Sequence, residues 1–184
     1  MSVDRIAFES LQEPLAGRLS PKVERLGYFG EFFQCTAHQP EALDAFMVFT
    51  EALQDALPKK LVEVVSLTVA NWCRNSYERN QHERLSVRLG YGRDWVAAVG
   101  ALRPEDQPLL SGDERLVQRT ALSVLETQGH ETAPLFARLV EVLGQQQAIA
   151  VLMLTGRYFV HASVVNTLQL AAPVPSIFED GFTG

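Results

Sequence analysis

The chain is poor in the features that usually announce a function. Among its 184 residues there are only two cysteines, Cys35 and Cys73, 38 positions apart. That excludes a disulfide scaffold and a four-cysteine zinc site, and neither thiol belongs to a CxxC pair. Basic clusters are missing as well: Lys59-Lys60 is the one adjacent pair, and the formal net charge is −6. An acidic chain without a cationic stripe is a poor match for nucleic acid or an anionic membrane. The longest uninterrupted apolar run, Ala148 to Leu154, is far shorter than the ~20 residues of a membrane span. Met1-Ser-Val-Asp-Arg5 leads into no apolar signal core, so a cytoplasmic protein is expected. No alternating run with hairpin turns is present, which argues against a sheet.

What is there is helical periodicity. Hydrophobic residues make up 47% and charged residues 21%, the balance of an ordinary globular protein. A chain of this length buries roughly two-thirds of its unfolded surface without a metal or disulfide. Pro14, Gly17, Pro21, Gly27 and Gly30 predict an irregular segment over 1–30, with Pro21 opening at most a short helix as its first residue. Helical spacing then covers 40–57, 61–70 (buried), 76–89 with Gly90 after its end, and 94–102. After a loop over 103–112, helices are expected at 113–127 and 132–143. Gly144 separates these from a long apolar helix over 145–170. The tail, 171–184, carries Pro173 and Pro175 and is expected to dock on a neighbour or stay loose. The expectation is one all-α domain spanning 1–184, a bundle of seven or eight helices with its core at 31–170.

The segment with chemical content runs Glu63-Val-Val-Ser-Leu-Thr-Val-Ala-Asn71-Trp-Cys73-Arg-Asn75-Ser-Tyr77-Glu78-Arg-Asn-Gln-His82. Glu63 stands in an almost wholly apolar stretch, where desolvation would suit its carboxylate to hold a proton; the alternative is a wet stripe beside Lys59 and Lys60. Glu78 and His82, at i and i+4, can meet on one helix face. Asn75 and Glu78 also fit a capping box, with Asn75 as N-cap and Glu78 at N3. A helix starting there would put Glu63 and His82 on different helices. On one straight helix they would lie ~120° out of phase. Glu63, Glu78 and His82 could also ligate a metal, with a second imidazole from His38, His130 or His161, but no HExxH pattern supports it, and no metal or cofactor is expected. Cys73 lies in a CxxS, where a helix N-terminus can activate a thiol, although burial is the commoner fate of a lone cysteine.

These residues resemble the signature of the carboxymuconolactone decarboxylase/alkylhydroperoxidase-D-like (AhpD-like) family. The redox branch carries Glu-x11-Cys-x2-Cys-x3-His. Counted back from His82, this sequence has Glu78 and Asn75 at the two cysteine positions and Glu63 at the glutamate. Tyr77-Glu78-x3-His82 is similar to the Tyr-Glu-Trp-x2-His version of non-redox members, with Arg79 in place of Trp. Ala37-His38-Gln-Pro40 resembles the segment preceding the signature. Leu143-Gly144, Thr155-Gly156-Arg-Tyr158 and Asn166-Thr-Leu resemble the closing helix, so the likeness covers about 30–170.

The resemblance implies an all-helical fold, assembly into trimers, hexamers or other homo-oligomers, and a site around Glu63, Glu78 and His82, with Asn75, Tyr77 and Cys73 as further candidates. Without the cysteine pair, it implies acid/base chemistry of the decarboxylase kind on a small anionic substrate. His82 would donate or accept the proton, Glu63 would store it and Glu78 would orient the ring. Arg74, Arg79, Arg84 and Arg157 are unranked candidates for the substrate's charge. A thiol peroxidase using Cys73, with Cys35 as resolving partner, is the first alternative. A non-catalytic oligomeric protein that kept the fold is the second.

Overall fold

The computed structural model describes residues 3–179 and 182; the expectations for 1–2, 180, 181, 183 and 184 lie outside them. Eight α-helices make up the described residues: α1 (Leu15–Leu26), α2 (Glu31–Thr36), α3 (Pro40–Asp55), α4 (Lys59–Trp72), α5 (Ser76–Arg88), α6 (Arg93–Gly100), α7 (Gly112–Thr127) and α8 (Ala133–Leu168). Short 3₁₀ turns stand at Phe8–Ser10 and Pro104–Asp106.

At the centre is α4, because its residues from Leu61 to Ala70 are all buried. It packs against α5, α7 and α8. Two apolar clusters result. The larger joins α4 to α6, α7 and the middle of α8 through Val65, Leu67, Val99, Val117 and Leu154. The smaller joins α1, α2 and α3 to the end of α8 through Leu19, Phe32, Met47 and Val165. Tyr158 belongs to the first and Tyr77 to the second, so α5 and α8 straddle the seam.

Local signals account for most boundaries. Ser111 and Glu114 form a reciprocal capping box at the start of α7, the arrangement that satisfies two orphan N–H groups. Gly144, at φ 81° and ψ 165°, is non-helical and breaks α8 into the two expected parts at a kink.

The expectation of an irregular first thirty residues is corrected. A helix occupies Leu15–Leu26, and Pro21 lies inside it instead of opening it. Leu15 and Leu19 are both buried on its inner face. Their burial contributes about 1.5–3 kcal/mol each, enough to offset the ~3 kcal/mol that an internal proline costs. The six-residue α2 went unseen by periodicity because it is shorter than two turns.

The tail is irregular, as expected, but through Ile177 it docks on its own chain. Ser176 Oγ and Ile177 N–H donate to Glu83 Oε2 at 2.6 and 3.1 Å. Asn80 Nδ2 and Arg84 Nε donate to the carbonyls of Val174 and Pro175. By length and composition α8 could cross a membrane, a point that counting the uninterrupted apolar run overlooks. It is a core helix here, packed on α3, α4 and α7, with Arg157 and His161 buried within it.

Candidate active site

The site begins at a helix break. After Trp72 the chain turns through Cys73 and Arg74, the latter left-handed at φ 54°. Asn75 then caps α5, its side-chain oxygen accepting the Glu78 N–H at 3.3 Å. Only half of the expected capping box forms. The Asn75 N–H goes to the Ala70 carbonyl, which releases the Glu78 carboxylate for other partners. The turn folds α5 back along α4, so Glu63 and His82 meet from different helices.

Glu63, 2% exposed, is answered on both counts that burial demands, charge and hydrogen bonding. His82 Nδ1 lies 2.8 Å from Glu63 Oε2, and Ser86 Oγ donates to the same oxygen at 3.2 Å. On its other side, His82 Nε2 is 3.2 Å from Glu78 Oε2. Glu78 Oε1 in turn receives His161 Nε2 at 2.9 Å and lies 3.6 Å from Arg157 Nη1. Asn75 Nδ2 closes the file, 3.5 Å from His161 Nδ1. From Ser86 to Asn75 this is one file of alternating carboxylates and imidazoles joined by hydrogen bonds at its two ends and by short ion-pair contacts around Glu78, and each imidazole nitrogen already faces a partner.

The two histidines are driven in opposite directions. Burial alone would push His82 down, but the Glu63 charge and the bonds to Glu63 and Glu78 outweigh it and hold the ring well above the usual imidazole range. His82 is therefore biased toward its imidazolium form. His161 is pushed down: its burial dominates, and Arg157 and His82 add to it against the pull of Glu78. Its Nε2 faces Glu78 and its Nδ1 the Asn75 amide. Burial also works against Glu78, yet at the acid pH where that carboxyl titrates the charge then carried by His161, with the close approach of both rings, holds it well below its ordinary range. Groups with environments that push them apart are the usual mark of a site built to move protons.

This file borders a cavity of about 710 Å³ between α1, α5 and α8, within the size range of small-molecule sites. Of the expected site residues, Glu78, His82 and Tyr77 line it. Glu63 supports His82 from behind. Tyr77 is buried, its hydroxyl accepting the Phe32 N–H at 3.3 Å, and burial pushes its ionisation up. Asn75 acts as cap and as partner of His161. Cys73 is not among the cavity residues; it packs against the larger cluster, and burial pushes its thiol up to about 11. Among the four arginine candidates, Arg157 is buried at the cavity and Arg84 stands at its rim. Arg79 pairs with Glu83 at 3.4 Å, and Arg74 is exposed at the turn.

Sequence reasoning weighed His161 only as a spare metal ligand and missed Lys22, Thr50 and Tyr158 as part of the site. A signal existed for the first: Arg157 and His161, at i and i+4, are the one arginine and the one histidine in the mainly apolar stretch of α8 after Gly144.

With this geometry the chain has the all-helical fold of AhpD-like proteins, and the resemblance seen in the sequence holds at the level of fold. The AhpD core of a peroxidase-related protein from Ralstonia eutropha JMP134 superposes with a TM-score of 0.76 at 17% identity, covering 90% of this chain and 88% of that one. A cysteine-to-alanine variant of the debrominase Bmp8, in complex with 2,3,4-tribromopyrrole, gives 0.72 at 15% identity over 89% and 90% of the two chains. A protein of unknown function from Agrobacterium tumefaciens, assigned to AhpD-type antioxidant defence, gives 0.66 at 16% identity over 76% and 96%. No family model matches the sequence, and no curated protein matches it.

Proposed function

We propose that the protein is an acid/base enzyme of the lyase type acting on a small anionic organic substrate. The observation that carries this reading is His82, held between Glu63 and Glu78 and biased toward its imidazolium form, beside a partly open cavity. In a decarboxylation the bond to the departing carboxylate breaks, and its electron pair passes into an enolate. His82 then delivers its Nε2 proton to carbon, releasing its contact with Glu78, the longer of its two. Glu63 keeps the ring oriented and stabilises its charge, and solvent restores the proton. A general acid placed in this way contributes about 10²–10⁴-fold. The debrominase neighbour, bound to a brominated pyrrole, lends the reading an example of this fold holding a flat ring.

The test is carbon dioxide release from a panel of lactone and β-keto acids, with solvent deuterium incorporation into the product. His82→Gln should lose about 10²-fold or more in rate while keeping its helical circular dichroism. A folded variant with full turnover would overturn the assignment and favour a non-catalytic role. The thiol-peroxidase reading takes its support from the names of two neighbours, but a partly buried thiol packed against the larger cluster and raised to about 11 is a poor nucleophile. Peroxide turnover with a dithiol that disappears in Cys73→Ser would establish it instead.

The same reading includes self-assembly. Ile149, Met153, Gly156 and Val160 are exposed and fall in phase along one face of α8. A second copy of this chain is the occupant that such a helical stripe fits.

A further inference from the structure

The cavity is cationic in an acidic protein. Arg18, Lys22, Arg25, Arg84, Arg88 and Arg157 border it, against the carboxylates of Glu51 and Glu78. Two of these cations differ from the rest. Arg157 is buried, and its Nε donates to Thr50 Oγ1 at 2.9 Å. Its guanidinium lies over Phe46 at 4.8 Å and over Tyr158 at 4.4 Å. Held on these sides, it leaves Nη1 fully buried without a hydrogen-bond partner, since Glu78 is 3.6 Å away. An unanswered guanidinium N–H at a cavity is costly unless a ligand completes it. Lys22 reaches in from α1, with its ammonium 5.4 Å from the centre of the Phe33 ring. Burial, with Arg157 nearby, lowers it to about 8, so it remains mainly charged at neutral pH and gains from an anion beside it.

The buried end of the site also limits the charge it can take. Glu63 and Glu78 stand against His82, Arg157 and Lys22, which leaves one positive charge. The walls are aromatic: Tyr28, Phe32, Phe33, Tyr77, Tyr158 and Phe182 line the space. Such faces favour flat, π-bearing ligands over puckered ones.

We infer that Arg157 and Lys22 form the receptor for the single carboxylate of a flat aromatic or conjugated acid, which the aromatic walls hold by its faces. This rests on the acid/base reading for its consequence, since the receptor would fix the acid's orientation against His82. The binding itself does not depend on that reading.

Calorimetric titration of the full chain near neutral pH with 2-naphthoate tests the inference. The comparison ligands are 2-naphthamide (uncharged), decahydronaphthalene-2-carboxylate (puckered) and naphthalene-2,6-dicarboxylate (doubly charged). Naphthoate should bind, with the amide and the puckered acid at least about tenfold weaker and the dicarboxylate no tighter. Arg157→Gln should weaken naphthoate at least about tenfold, and Lys22→Met by about three- to tenfold. Wild-type affinity should fall as pH rises through about 8, and this fall should be shallower in Lys22→Met, where only His82 is left to lose its charge on the alkaline side. If Arg157→Gln does not fold, the half-buried Lys22 variant carries the test alone. Absence of naphthoate binding, equal binding of the amide, tighter binding of the dicarboxylate, or indifference to Lys22→Met would each overturn the receptor. His82→Gln removes one of the three cations in this balance and should bind naphthoate more weakly than wild type without abolishing binding, since Arg157 and Lys22 remain. A variant that binds but does not turn over separates the two readings, because failure of the acid/base reading leaves this titration unchanged.

Discussion

Between two carboxylates, His82 keeps its charge in a place where burial alone would remove it, and this ties the site to the stability of the fold. A pKa raised on folding adds stability that is fully present below the unfolded value of ~6.5 and is lost as pH rises through the folded one. For His82, held well above that value, the loss falls on the alkaline side of neutrality. Wild type should therefore weaken from pH 7 upward by more than His82→Gln does, as read by urea denaturation at each pH. At pH 7 the substitution should cost about 3–5 kcal/mol, because it leaves buried carboxylates without their counter-charge. Equal pH slopes for the two proteins would contradict the imidazolium assignment. Residue by residue, Glu63 and His82 were legible in the sequence through their type and spacing. Glu78 was ambiguous between cap and site. Asn75 capped the helix alone, and the carboxylate thereby went to the two histidines.

Among the elements, α5 serves two surfaces at once. Glu78 and His82 face the cavity, while Asn80, Glu83 and Arg84 on other faces hold the tail. Glu83 is buried and bonds Ser176 and Ile177, whose side chain is fully buried in the larger cluster. Glu83→Ala should release 174–177, destabilising the chain by about 1–3 kcal/mol and accelerating hydrogen exchange at the Ile177 amide. Unchanged protection of that amide would mean that the apolar contact of Ile177 suffices. The sequence indicated that this tail is irregular but not where it goes, since two prolines forbid a helix without specifying a partner. The same limit applied at the other end. Glycines and prolines over 14–30 read as punctuation, and only burial of Leu15 and Leu19 made them a helix.

At the scale of the whole molecule, opposite charge distributions coexist: a net charge of −6 and a cavity bordered mainly by cations. That contrast focuses attraction for an anion into one place. The exposed stripe of α8 makes the corresponding statement about assembly. Replacing Ile149 and Met153 together by Glu should lower the sedimentation-equilibrium mass to that of the 20.4 kDa chain, with helicity unchanged. A wild-type protein already sedimenting as a single chain would remove the assembly reading.

The helical class, most helix positions from 40 onward and the pairing of Glu63 with His82 follow from local spacing and from a capped break between two helices. That Arg157 and His161 from α8 and Lys22 from α1 join them follows from packing alone. These helices carry no mark in their own periodicity of which side chains will converge. That depends on how α1 and α8 pack across the seam between the two apolar clusters, and packing is set by the whole set of buried faces rather than by any one segment.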